Sequence, residues 1–164
     1  MEKSMLHEKH KVVVPAPLET TLRILQDVES MDGWIRPYLP RRPRVSATTT
    51  VLERTSSGAP RLVRLKTSAA GIGDTSLTEY VWTDTGCRTM LRASKVLRAS
   101  NAAIDLLPIA AGTLLTLEAT VELKIRLPKL VELSFHKYQQ DFTSAVTRAF
   151  IAEGRRRSAG VHQR

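Results

Sequence analysis

The feature that most constrains this fold is a long series of period-two strands followed by one long helical stripe. The alternation is cleanest at 113–126, where the apolar residues of one face are Leu115, Leu117, Ala119, Val121, Leu123 and Ile125. One buried face and one wet face is typical of an antiparallel sheet. Five further strands are predicted before it, at 44–55, 61–69, 74–83, 87–98 and 101–109. The short turns between them favour a meander.

The helical stripe begins where Pro128 ends the last strand, and it predicts a helix at 128–156. Its apolar or small residues recur three or four apart: Leu130, Val131, Ser134, Phe135, Tyr138, Phe142, Ala145, Val146, Ala149 and Phe150. A helix with one apolar face that follows six strands must lay that face on the sheet.

The first part of the chain is predicted to hold a short strand at 11–14 and a helix at 18–29. The segment 30–43 is rich in proline yet carries Trp34 and Tyr38, so it is interpreted either as a plug over the core or as a lid over a pocket. The predicted organisation is a flexible lead-in at 1–10, one domain at 11–157 and a flexible basic tail at 158–164.

Composition favours a soluble, cytoplasmic protein of one domain. The 164 residues are 42% hydrophobic, no apolar run reaches the ~20 residues of a membrane span, and the N-terminus lacks a signal peptide's apolar centre. The single cysteine, Cys87, excludes an internal disulfide and a cysteine-cluster metal site. No metal-ligand spacing or dinucleotide-binding motif occurs, so neither a metal nor any other cofactor is predicted.

The net charge of +9 raises the question of an anionic partner. Much of the excess lies in two clusters, Arg41, Arg42 and Arg44 and then Arg155, Arg156 and Arg157. Nucleic-acid binding surfaces usually interleave basic residues with aromatic ones, and no aromatic residue lies in either cluster. A solvated surface is favoured over contact with a ribosome or nucleic acid.

Three short motifs carry a family resemblance. They are VPAPLE at 14–19, DVESMDGW at 27–34, and Leu107-Pro108 followed by Gly112-Thr113. Their order and spacing over nearly all of 11–154 resemble the START-related helix-grip superfamily (SRPBCC), in particular its actinobacterial polyketide cyclase/dehydrase branch. The resemblance implies an α+β fold with a seven-stranded antiparallel sheet curled around the C-terminal helix. It also implies a cavity between helix and sheet that binds a lipid or polyketide-like molecule.

The cavity wall is predicted from the loop, the inward strand faces and the helical stripe, although the same residues would equally suit a filled core. The predicted ligand-binding residues are Trp34, Tyr38, Leu65, Thr67, Leu91, Ala93, Leu130, Val131, Ser134, Phe135 and Tyr138. In this prediction Trp34 and Tyr38 control access to the cavity.

Catalysis would need polar groups inside the cavity. The more apolar parity of each strand places Glu79 and Lys95 inward, and a buried Glu79 would be a candidate general base. The opposite parity carries Tyr80 and Trp82, and with that parity inward Glu79 is a surface residue. His7 and His10 fall in the lead-in and are not predicted to act. The sequence therefore favours a binder, with a cyclase or dehydratase as the alternative and a ribosome- or RNA-associated protein as a second alternative.

Overall fold

The computed structural model describes residues 5–41, 44–69, 72–124 and 129–161. Within these ranges a seven-stranded sheet is combined with three α-helices and a short 3₁₀ turn, Arg36–Tyr38. The helices are α1 (Leu18–Gln26), α2 (Met31–Ile35) and α3 (Lys129–Val161). The strands are β1 (Met5–Val14), β2 (Val45–Arg54), β3 (Pro60–Ala69), β4 (Ile72–Thr83), β5 (Gly86–Ala93), β6 (Leu97–Ile109) and β7 (Gly112–Leu123).

The strands form one antiparallel sheet in the order β1-β7-β6-β5-β4-β3-β2. The strands from β2 to β7 pair in chain order, as the short turns predict, and β1 adds to the free edge of β7. With α3 following the last strand, this topology confirms the predicted α+β helix-grip fold.

The first strand is longer than the sequence predicts. It begins at Met5, which lies opposite Glu122, and it stays in register with β7 as far as Val14 opposite Thr113. The residues at 5–10, expected to be a frayed lead-in, are therefore part of the sheet. The physical reason is that the edge of β7 offers a backbone partner to every residue of this segment, which outweighs its polar composition.

Other boundaries also differ from the prediction: the helix predicted at 18–29 ends at Gln26, and the segment 30–43 contains the short helix α2. The predicted strand at 87–98 is interrupted after Ala93, because Ser94 Oγ accepts hydrogen bonds from the N–H groups of Val96 and Leu97 and turns the chain. Lys95, predicted to point inward, lies exposed in this turn. At the other end α3 continues to Val161, so the first residues of the predicted tail are helical.

The core lies where α1 and α3 cover the end of the sheet at which β1 leads into α1. Its buried residues are Val14, Ala16, Ile24, Leu25, Leu106, Leu115 and Phe150. Trp34 and Trp82 are partly buried and pack against this cluster. Beyond the core, α3 extends over β1 and β7, and that region holds the cavity described next.

Candidate functional site

A cavity of about 210 Å³ lies between α3 and the β1–β7 edge of the sheet. Its wall is apolar apart from Glu8, His10 and two threonines of α3. The lining residues are Leu6, Glu8, His10 and Val12 of β1, Leu25 of α1, Ile104 of β6, Leu115, Leu117, Ala119 and Val121 of β7, and Phe142, Thr143, Val146, Thr147 and Phe150 of α3.

Local periodicity explains which side chains reach this cavity. Alternate residues of β1 and of β7 point to one side of the sheet, and the register sets His10 opposite Leu117 on that side. On α3 the apolar contributors Phe142, Val146 and Phe150 are four residues apart, so they form one row along the helix. The strand face and the helical row together line an apolar space that is partly open to solvent.

One polar cluster interrupts the apolar wall, and it consists of Glu8, His10 and Thr143. Glu8 Oε2 accepts a hydrogen bond from Thr143 Oγ1 at 3.2 Å and lies 3.3 Å from His10 Nε2. The Glu8 side chain is 20% exposed and that of His10 is 38% exposed. Since Glu8 and His10 are two residues apart on one strand, they share a face, and α3 supplies the third member. We call these three residues the Glu8 cluster.

Trp34 supports the cavity wall from behind. Its ring meets the ring of Phe150 edge-to-face, with centroids 5.0 Å apart, and Phe150 in turn lines the cavity. Tyr38 ends the 3₁₀ turn that follows α2. The segment predicted to be a plug or a lid is thus anchored to α3 through Trp34.

Comparisons of the whole chain address the fold. No family model matches the sequence, and no curated protein matches it at a significant level. Solved structures do match. An aromatase/cyclase, Zhui, from Streptomyces sp. R1128 superimposes with a TM-score of 0.72 at 17% identity, over 93% of this chain and 95% of the other. A START superfamily protein from Mycobacterium smegmatis gives 0.68 at 21% identity, over 93% and 97%.

A major latex-like protein from ginseng (Panax ginseng) gives a TM-score of 0.61 at 12% identity, over 92% of this chain and 97% of the other. Three structures with different names therefore share one architecture with this chain along nearly its whole length. The chain has the START-like helix-grip fold. The resemblance inferred from the sequence motifs is confirmed at the level of fold.

In this START-like fold, the predicted catalytic candidate Glu79 lies on the face of the sheet turned away from the cavity. Residues directly opposite one another on neighbouring strands face the same side of the sheet. Ile104 lines the cavity and is opposite Cys87, and Cys87 is opposite Trp82. Trp82 and Tyr80 therefore face the helices, and Glu79 faces the other way, where its carboxylate forms an ion pair with Arg92. This corrects the predicted facing of the 74–83 strand.

The parity of β4 has a physical cause. Burying an indole ring removes more apolar surface from water than burying the aliphatic part of a glutamate. Trp82 Nε1 also donates a hydrogen bond to the Pro60 carbonyl oxygen at 2.7 Å, and the Tyr80 ring stacks on that of Trp82 at 5.9 Å.

The other predicted ligand-binding residues lie apart from the cavity or outside the described side chains. Leu65, Thr67 and Leu91 share the inward face, but on β3 and β5, and the cavity lies against β1, β7 and β6. Ala93 is exposed beyond a bulge in β5, and Leu130 is 80% exposed near the start of α3. The remaining predictions fall on side chains that the structure does not describe, those of Val131, Ser134, Phe135 and Tyr138. A ligand contact at any of these positions stays a prediction.

Sequence reasoning missed the Glu8 cluster because it treated 1–10 as a lead-in. A signal was present: Leu6, Glu8, His10 and Val12 alternate with residues of the opposite face and continue in phase to Val14. Because Glu8 and His10 are polar, the segment lacks the apolar alternation by which a half-buried strand is recognised.

The two arginine clusters differ in their surroundings. Arg41 and Arg44 line a cleft of about 310 Å³ together with Arg36, while Arg42 lies outside the described residues. In the second cluster, Arg156 and Arg157 both donate hydrogen bonds to Glu153, at 3.1 Å and 2.8 Å through their Nε atoms. At least these two arginines serve contacts within the chain.

The titratable groups with shifted pKa values lie away from the cavity. Burial raises the pKa of Cys87 to about 11 and that of Tyr80 to about 12, with Cys87 adding to the shift of Tyr80. Hydrogen bonds from Arg156 and then Arg157 lower the pKa of Glu153 against the opposing effect of burial.

The described residues offer neither a cluster of metal ligands nor a membrane-spanning helix. Over these ranges, histidine, cysteine, aspartate and glutamate nowhere gather in a group of three or more that would suit a metal ion. None of the described helices combines the length and the hydropathy needed to cross a bilayer.

Proposed function

We propose that this chain binds an apolar small molecule, lipid or polyketide-like, between α3 and the sheet, and acts as a carrier or sensor of it. The observation that carries the proposal is a partly open, mostly apolar space whose polar atoms are concentrated in the Glu8 cluster. Ligand sites are typically apolar cavities with a few placed polar groups. The START-like fold shared with an aromatase/cyclase supports the same proposal.

The cavity's volume indicates the size of the part of a ligand that lies within it. A space of about 210 Å³ exceeds the ~150 Å³ of an engineered cavity that accepts benzene, and it is below the ~300 Å³ of ordinary drug-sized pockets. A body of one or two rings, or a short acyl segment, fits this range. Burying about ten carbons contributes roughly 8 kcal/mol before ordering costs, which corresponds to dissociation constants in the micromolar range at best.

A matched pair of substitutions tests the binding site. Ala119→Leu adds bulk to the cavity wall, whereas Ala103→Leu adds the same bulk on the opposite face of the sheet, since Ala103 pairs with Glu118 and Arg88. Calorimetric titration with 2-methoxynaphthalene should show binding to the parent protein and to Ala103→Leu, and at least tenfold weaker binding to Ala119→Leu. The proposal would be overturned if the parent protein bound neither this probe nor 1-decanol, or if both variants lost the same affinity.

A cyclase or dehydratase is the second candidate, with a different carboxylate from the one predicted. The specific observation in its favour is the carboxylate–imidazole pair of Glu8 and His10 on the cavity wall. A carboxylate that orients an imidazole is a recurrent arrangement for moving protons. The named activity of the Streptomyces neighbour is of this class.

Proton abstraction can be measured without the natural substrate. With 2-tetralone in D₂O, a base removes an α-proton to give the enolate, and the carbon then takes a deuteron from solvent. If the cluster is catalytic, the protein accelerates this exchange above buffer and His10→Phe abolishes the acceleration. Exchange at the buffer rate, in a protein that binds 2-tetralone, would remove the enzymatic candidate and leave the binding function in place.

A further inference from the structure

We infer that the Glu8 cluster selects ligands whose apolar body carries a hydrogen-bond donor, a hydroxyl or an amino group, and rejects ligands with an anionic head. The inference rests on the proposed binding function and specifies its ligand class. It follows from the chemistry of Glu8, from the way that residue is held, and from what surrounds it.

The carboxylate of Glu8 has unused capacity to accept hydrogen bonds. Its Oε2 is occupied by Thr143 Oγ1, and by His10 Nε2 in the tautomer that carries the proton there. Among the described residues, no group donates a hydrogen bond to Oε1. An ionised carboxylate only accepts, and its two oxygens offer about four lone-pair positions. The complementary ligand group is therefore a donor.

Two elements of the fold hold this carboxylate in place. The backbone of Glu8 is paired with Ala119 in the sheet, and its side chain is bound by Thr143 from α3 and by His10 from its own strand. A group that is positioned before the ligand arrives loses little further freedom on binding. Hydrogen bonds to charged groups are also the stronger ones.

The apolar residues around Glu8 disfavour two kinds of ligand, those without a hydrogen-bond donor and those with an anionic head. Leu6, Val12 and Leu117 line the same cavity, so an apolar ligand that covers Glu8 also displaces its remaining water. A ligand without a donor would leave a desolvated carboxylate unsatisfied, which costs affinity. A fatty-acid or phosphate head would add a like charge close by. Sites built to bind a hydroxyl reject analogues that lack it far more strongly than apolar sites discriminate by size.

Three naphthalene probes of similar size separate these effects. The first, 2-naphthol, donates a hydrogen bond; 2-methoxynaphthalene only accepts one; and 2-naphthoate carries a negative charge at neutral pH. Calorimetric titration of the parent protein should give an affinity for 2-naphthol roughly tenfold or more above that for 2-methoxynaphthalene. The naphthoate should bind weakest of the three.

Glu8→Leu should remove the preference for naphthol and strengthen binding of 2-methoxynaphthalene. The matched control is Glu118→Leu on β7, which removes the same charge on the opposite face, where Glu118 lies near His7. That variant should keep the parent order of affinities. Circular dichroism checks that both variants fold, and Glu8→Gln, which is isosteric, provides a second test by reducing the penalty on naphthoate.

The outcomes distinguish this inference from the function on which it rests. Equal binding of 2-naphthol and 2-methoxynaphthalene to the parent protein would overturn the inference and leave the apolar cavity site intact. Tighter binding of the naphthoate would overturn it as well. If no probe binds, the binding function itself fails and the inference fails with it. The comparison among probes needs only the parent protein, so misfolding of a variant would not rescue the inference.

Discussion

The indole of Trp34 meets Phe150 edge-to-face, with an interplanar angle of 89° and ring centroids 5.0 Å apart. Phe150 also lines the cavity, so α2 is coupled to the ligand site through this pair of rings. The Nε1–H of Trp34 is buried and has no acceptor among the described residues. Trp34 is therefore an apolar support for Phe150, and its predicted contact with a ligand stays a prediction.

Removing the support should destabilise both the fold and the cavity. We expect Trp34→Ala to lower the free energy of unfolding by about 3 kcal/mol, because a large aromatic side chain leaves a void beside Phe150. Binding of 2-methoxynaphthalene should weaken because Phe150 can move into that void. Trp34→Phe keeps an aromatic partner and removes the unpaired donor, so it should lie within about 1 kcal/mol of the parent in urea unfolding. Similar stabilities for the alanine variant and the parent would contradict this role.

The first residue of β7 should tolerate no side chain. Gly112 has a φ of +139°, and a Cβ there would stand 2.2 Å from the Val14 carbonyl oxygen and 3.0 Å from the Ala16 nitrogen. Those backbone atoms belong to the turn that joins β1 to α1, so they have little room to move. We expect Gly112→Ala to lower the free energy of unfolding by about 3 kcal/mol or more.

The control for Gly112 is Gly160, near the end of α3, where an added Cβ would meet nothing within 4 Å. Gly160→Ala should leave stability unchanged or raise it by up to about 1 kcal/mol, because alanine is the better helix former. Equal effects of the two substitutions, measured by thermal and urea unfolding, would show that the close contact at Gly112 is unimportant.

Most of this fold is predictable because turn residues in the sequence mark where each strand begins and ends. From β2 to β7 the alternation and the intervening turns identify each strand, and short turns leave only neighbouring pairings open. Only the end of the edge strand β1, at 11–14, is predicted in this way, and residues 5–10 are missed because their pairing depends on a partner about a hundred residues away. Polar residues such as Glu8 and His10 are compatible with either a strand or a frayed end.

The cavity wall is less predictable because a one-residue change of parity exchanges the two faces of a strand. On β4 the apolar residues divide between the parities, and only the burial of Trp82 decides between them. Glu79 is assigned to one face or the other by that single choice. Which apolar residues surround empty space is harder still, since Val146 and Leu106 have the same character, yet one lines the cavity and the other belongs to the buried core.

Alkaline pH should destabilise the protein through Cys87. This residue is 1% exposed, and burial raises the pKa of its thiol from 9.0 to about 11. Below pH 9 the thiol is protonated in both the folded and the unfolded state, so the stability that depends on its protonation is fully present. Between pH 9 and about 11 the unfolded chain releases the proton first, and the free energy of unfolding falls. Melting temperatures should therefore begin to fall near pH 9.

Cys87→Ala provides the control for this pH dependence. Tyr80, whose pKa is raised to about 12, remains in that variant, so its decline should begin only near pH 10. If the parent protein and Cys87→Ala lose stability in parallel between pH 8.5 and 10, Cys87 does not titrate as the structure indicates.

Acid should weaken the junction between α3 and α1. Glu153 is only 4% exposed and accepts hydrogen bonds from Arg156 and Arg157, and Arg157 also donates to Asp27 Oδ2 at 2.9 Å. These arginines, Arg156 first, hold the pKa of Glu153 below its ordinary value of 4.5. A carboxylate with a lowered pKa stabilises the fold above the unfolded value, and this contribution is lost as pH falls below about 4.5.

The Glu19–Arg23 pair of α1 is a matched control, because it has the same i,i+4 spacing as Glu153–Arg157 but its side chains are 77% and 70% exposed. Glu153→Gln should lower the free energy of unfolding by about 2 kcal/mol at pH 7 and flatten its decline below pH 4.5. Glu19→Gln should change it by at most about 0.5 kcal/mol. Urea unfolding between pH 3 and 7 measures both. Since the i,i+4 spacing and the residue types match, a larger effect at Glu153 reports its burial, its second partner Arg156 and the link to Asp27. Equal effects would show that this network adds nothing beyond an exposed ion pair.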